Sequence, residues 1–147
     1  MKFIEQFVYT FKKDLKAYFF AHKLATTQIY YKSEVYSCTD LKLPVVVFTI
    51  KSIGEVVLKC RRYSFAVCLD LVIYTECQDR PTLGIEIASL LINFLTLKYS
   101  LESFNIDDSQ VVEEDSQDMK MVTVVRGILG IRINSDDLNF LPIQKER

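Results

Sequence analysis

The stretch Tyr63-Ser64-Phe65-Ala66-Val67-Cys68-Leu69-Asp70-Leu71-Val72-Ile73-Tyr74-Thr75-Glu76 decides how this chain folds. Tyr63, Phe65, Val67, Leu69, Leu71 and Ile73 occupy every second position, and residues two apart share a face only in an extended strand. The stretch is therefore a strand with one continuous apolar face. Its other face reads Ser64, Ala66, Cys68, Asp70, Val72 and Tyr74, too apolar for full solvation and interrupted by a charge.

Upstream, Phe3, Phe7, Phe11, Leu15 and Phe19 recur every four residues, with Ile4, Val8 and Tyr18 widening the stripe and Lys12, Lys13 and Lys16 off it. That pattern predicts an amphipathic helix from Lys2 to Lys23 whose aromatic stripe lies on a sheet. Two further strands precede the alternating one: Gln28 to Tyr36, and Val45 to Ile50 behind Pro44. Gly54 reads as a turn, and the long strand then runs from Val56 to Glu76, with a break near Arg61 and Arg62.

Downstream, Asp79-Arg80-Pro81-Thr82 signals a helix start, and Ile87, Leu90, Leu91, Phe94 and Leu95 form its stripe. Lys98 falls in the last turn, where a cation suits the helix dipole, and the helix should end near Ser100. Val111 and Val112 open a short polar strand, Ser116 to Asp118 turns, and Met121 to Ile133 runs back. In that strand Met121, Thr123, Val125, Leu129, Ile131 and Ile133 share a face with Gly127. Val122, Val124, Arg126, Ile128 and Arg132 share the other with Gly130.

The predicted architecture is α+β: an antiparallel sheet of four to five strands with two main helices, in the order α-β-β-β-α-β-β. Residues 1–138 form a single domain, and residues 139–147 form a loosely ordered tail. Two arrangements would cover the second sheet face: one helix on each face, or both helices on one face and another subunit on the other. In the second case Asp70, Val72, Tyr74, Arg126, Ile128 and Arg132 form the candidate subunit interface, with Asp70 pairing to Arg126 or Arg132 within or between chains.

Composition excludes several classes. The chain has 147 residues, half of them hydrophobic, and a net charge of −1, so as a whole it offers no electrostatic footprint for nucleic acid or anionic lipid. Glu5, Lys12, Lys13 and Asp14 interrupt any signal-peptide core, and the run from Phe65 to Tyr74 is too short to span a bilayer. The expectation is a soluble protein made without export. Cys38, Cys60, Cys68 and Cys77 contain no CxxC pair and read as reduced, buried thiols; with His22 as the one imidazole, a metal site is not expected.

Catalytic chemistry is equally sparse. No serine or cysteine motif frames His22, which reads as a helix-end residue. Gly54, Gly84, Gly127 and Gly130 form no phosphate cradle, and the last two mark a bulge or a close approach within a strand. Residues 101–118 carry seven acids and no base, without the spacing of a calcium loop. Glu113, Glu114, Asp115 and Asp118 read instead as a charged hairpin rim that would reject wrong partners. No enzyme and no cofactor is expected.

The layout resembles the tail terminator, or tail-completion, proteins of long-tailed bacteriophages. An N-terminal helix precedes Leu43-Pro44-Val45-Val46-Val47. The alternating strand Tyr63 to Glu76, the helix Thr82 to Leu97 and the hairpin through Val111 to Ile133 then follow. The resemblance is one of pattern across most of the chain and carries no catalytic or binding residue with it. It implies a homo-oligomeric ring, typically hexameric, on the head-proximal end of a phage or prophage tail tube. Such a ring stops tube polymerisation and docks the head connector. Its partners would be itself, the tube protein and the connector protein, with no direct nucleic-acid recognition and no membrane. Its place would be the virion tail or a phage-like particle assembled in the host cytoplasm. From a different class, an oligomeric adaptor or a chaperone-like module holding a small ligand or client could use the same sheet.

Overall fold

The computed structural model describes residues 2–35, 42–59, 62–76, 82–115 and 118–134. Their order is α1 (Lys2–Ala21), β1 (Gln28–Tyr31), α2 (Lys32–Val35), β2 (Val45–Lys59), β3 (Arg62–Glu76), α3 (Leu83–Lys98), β4 (Ser100–Asp115) and β5 (Asp118–Asn134). The strands form one open sheet in the order β1-β2-β3-β5-β4. The fold is α+β, as the periodicities predict.

Helix α1 stops at Ala21, two residues before the expected end, for a local reason. Lys23 adopts a left-handed conformation with φ of 64°. The Leu24 N–H then donates to the Phe19 carbonyl at 2.8 Å and the Lys23 N–H to the Phe20 carbonyl at 3.3 Å. These two bonds satisfy carbonyls that the helix end would otherwise orphan, and Leu24 is buried beneath them.

The sheet differs from the expectation in three places. First, β1 is short and runs parallel to β2, with Gln28 beside Val45 and Tyr31 beside Phe48; the remaining pairs are antiparallel. A single helical turn, α2, takes up residues expected to continue β1. Second, Gly54 is not a turn: it lies within β2 opposite Ala66, between two register shifts, and the chain reverses between the paired residues Lys59 and Arg62. Bulges let one strand stay continuous through a sequence that breaks alternation. Third, β4 begins at Ser100, directly after α3, far ahead of Val111.

Both helices pack on the same face of the sheet, so the arrangement with one helix on each face is ruled out. Phe7, Phe11, Leu15 and Phe19 of α1 and Ile87, Leu91, Phe94 and Leu95 of α3 share one core with Phe65, Val67, Leu69, Leu71 and Ile73 of β3. Val125, Leu129, Ile131 and Ile133 of β5 complete it. Phe11 is the hinge of this packing: its ring lies 4.7 Å from Phe48, 5.6 Å from Phe7 and 5.8 Å from Phe94. The Lys98 ammonium, 3.2 Å from the Asp14 carboxylate, ties the end of α3 to the middle of α1.

Candidate functional site: the uncovered sheet face and the two sheet edges

With both helices on one side, the second face of the sheet holds the residues singled out from the sequence. Asp70, Val72 and Tyr74 of β3 lie directly opposite Ile128, Arg126 and Val124 of β5. The same rows continue outward to Thr49, Val47 and Val45 on β2 and to Asn105, Asp107 and Ser109 on β4. Asp70, Val72 and Tyr74 are half-buried, while Arg126 and Ile128 are exposed. At the Tyr74 row the flanking Val45 and Val124 are buried, so that end of the face is closed to solvent.

The anticipated charge pair does not form within the chain. Among the described residues, no ion pair joins Asp70 to Arg126 or to Arg132. Arg132 is committed elsewhere. Its Nε–H donates to Glu102 Oε2 at 3.3 Å, and its Nη1 donates to Ser64 Oγ at 3.3 Å, so it bridges three strands. Glu102 is the extra residue at the β4 register shift between Leu101 and Ser103. The shift lies beside Gly130, where an added Cβ would come within 2.7 Å of Ser103 Oγ. The glycine therefore marks a close approach, as its position in the strand suggested, but to a side chain.

The acidic rim sits at the end of a projecting ribbon. Pairing between β3 and β5 ends at Glu76 opposite Val122, whereas β4 and β5 continue to pair as far as Asp115 opposite Asp118. Glu113, Glu114, Asp115 and Asp118 thus lie on a two-stranded extension beyond the rest of the sheet. From the opposite end of the sheet, the β2–β3 hairpin carries Val56, Val57 and Leu58, all exposed and apolar. Contiguous exposed apolar residues of this kind mark contact surfaces.

A feature missed at the level of sequence lies at the β1 edge. Tyr9, Lys12, Lys13 and Lys16 of α1 face Ile29 and Tyr30 of β1 across a groove of about 610 Å³. Lys12 is held there by Glu34 of α2, with Nζ donating to both carboxylate oxygens at 2.8 Å. The Tyr31 N–H also donates to Glu34 Oε1 at 2.8 Å. Burial pushes the Glu34 carboxyl up, but the Lys12 hydrogen bond, the Tyr31 N–H and the ammonium charge outweigh it and hold it below the ordinary carboxylate range. Lys13 and Lys16 are exposed, and neither has an ion pair among the described residues. The lysines read from the sequence as the wet side of an amphipathic helix; only the parallel placement of β1 beside them makes a groove.

The described residues hold no cluster of histidine, cysteine, aspartate or glutamate able to bind a metal. The His22 Nδ1–H donates to the Tyr18 carbonyl at 2.8 Å and its ring lies 4.2 Å from that of Tyr18, which engages it at the helix end. Cys68 is a free thiol in the second face; Cys38, Cys60 and Cys77 lie outside the described residues. An apolar cavity of about 10 Å³ lies between α3 and the sheet, against the several hundred Å³ a small ligand requires. No described helix is long and apolar enough to cross a membrane. No protein-family model matches the chain, and no curated protein sequence matches it.

Proposed function

We propose that this chain is a structural assembly protein, a tail terminator that forms a ring on the head-proximal end of a phage or phage-like tail tube. In that role it stops tube polymerisation and offers the head connector a docking surface. The observation that carries the reading is the one-sided placement of α1 and α3, which keeps the helices off the second sheet face, where Arg126 and Ile128 are exposed. Exposed Ile128 and half-buried Val72 on that face, and exposed Val56, Val57 and Leu58 on the β2–β3 hairpin, supply apolar area that a lone monomer would leave in water. Two hairpins projecting from opposite ends of the sheet give a ring distinct upper and lower rims, one acidic and one apolar.

The test is negative-stain imaging of the purified protein alone and with polymerising tail tube protein. Rings, and tubes that stop growing with a cap at one end, are expected. Tubes that lengthen without caps, at any excess of this protein, would contradict the terminator role.

A further inference from the structure

Lys12, Lys13 and Lys16 crowd one stretch of α1. Residues three or four apart are neighbours on a helix surface, so Lys16 stands beside both Lys12 and Lys13, and like charges at those spacings destabilise a helix. Acids at the same spacings would relieve the repulsion. The positions three and four away from Lys13 and Lys16 hold instead Tyr9, Thr10, Ala17, Phe19, Phe20 and the lysines themselves. Of the three ammonium groups only that of Lys12 is answered, by Glu34. Asp14, next in the chain to Lys13, is paired with Lys98.

The fold gathers this unrelieved charge into one concave place. The groove beside β1, of about 610 Å³, has all three lysines in its wall and no carboxylate among its described lining residues. Its volume falls in the range of small-molecule sites. Lys13 and Lys16 are exposed there, and neither has an ion pair among the described residues. The ring of Tyr9, one turn before Lys13, is 56% exposed in the same wall. Thr27, just before β1, is 5% exposed, and its hydroxyl has no hydrogen-bond partner among the described residues. The wall thus holds two free cations and is short of one hydrogen-bond acceptor. An anion supplies both needs.

We propose that the groove between α1 and β1 binds a small anion with two linked phosphoryl groups, held by Lys13 and Lys16. An ammonium is a point charge on a flexible stem and suits phosphate oxygens, whereas recognition of a carboxylate favours the planar fork of arginine. No described lining residue is an arginine. Side chains three apart on a helix start about 5–6 Å from each other, so Lys13 and Lys16 can each meet one phosphoryl group. The Lys12 ammonium neutralises Glu34, and that carboxylate does not oppose the anion. The exposed Tyr9 ring offers a face on which a planar base can stack. The same chemistry therefore admits inorganic pyrophosphate or a nucleoside diphosphate. The site does not depend on the assembly proposed above.

The test titrates the full-length protein with pyrophosphate and with ADP at constant ionic strength, reading the heat of binding by calorimetry and the backbone amide shifts by NMR. Saturable binding of at least one ligand is expected, with shifts centred on Tyr9 to Lys16 and Thr27 to Tyr30, and with a melting temperature that rises as ligand is added. K13Q/K16Q alters only exposed side chains, should melt as wild type does without ligand, and should weaken binding by about tenfold or more. K51Q, at an exposed lysine of β2, should leave the affinity unchanged. Tighter binding of ADP than of pyrophosphate, with the difference lost in Tyr9→Ala, would identify a nucleotide as the occupant; equal affinities would identify the inorganic anion. No saturable signal with either ligand, shifts centred elsewhere, or an affinity that K13Q/K16Q leaves unchanged or that K51Q lowers as much would overturn the site.

Discussion

Phe11 and Thr75 show how differently two fully buried residues can bear on stability. Phe11 is wholly enclosed and touches aromatic rings from α1, β2 and α3. Phe11→Ala removes those contacts and leaves a cavity between three elements, so urea unfolding should show a loss of about 3–5 kcal/mol. Thr75 is equally enclosed, yet its hydroxyl has no hydrogen-bond partner among the described residues. Replacing an unpartnered buried hydroxyl with a methyl group of the same shape removes a desolvation cost. Thr75→Val should therefore leave stability unchanged or raise it by up to ~1 kcal/mol; a loss larger than that would mean the hydroxyl is in fact bonded. The helical stripe assigned Phe11, and the alternating pattern Phe65, Val67, Leu69, Leu71 and Ile73, to the core correctly. It could not show that Asp70 would lack its arginine, because a charge pair depends on rotamers and competing partners, and Arg132 is taken by Glu102 and Ser64.

At the scale of elements, the helices and the alternating strand were legible because each buries one continuous stripe. The edge strands were not. In β4, Glu102, Ser103, Asn105 and Asp107 are exposed, and an edge strand in contact with solvent reads as a polar loop until its pairing is known. The parallel docking of β1 was equally hidden, since nothing in four half-buried residues distinguishes parallel from antiparallel pairing. That docking is secured by the Lys12–Glu34 clip between α1 and α2, which gives a pH signature. Because Glu34 has its carboxyl pKa lowered on folding, its contribution is present above the unfolded value of about 4.5 and is lost as pH falls through the lower folded value. Both side chains are partly exposed, so the pair contributes less than ~1 kcal/mol. Glu34→Gln should lower the melting temperature slightly at neutral pH, and the difference from wild type should vanish in acid.

For the whole molecule, the sequence left open whether a helix or a neighbour covers the second sheet face. The shared core of α1 and α3 removes the helices from that face. What remains is an open sheet whose second face exposes Arg126 and Ile128, with a hairpin at each end. Each of these is costly or idle in a monomer and useful in a closed assembly. The most direct check is the solution mass of the wild-type protein, measured by light scattering from micromolar to submillimolar concentration at low and at high salt. A discrete oligomer that forms as concentration rises is predicted. A monomer throughout that range at both salt concentrations would contradict the account.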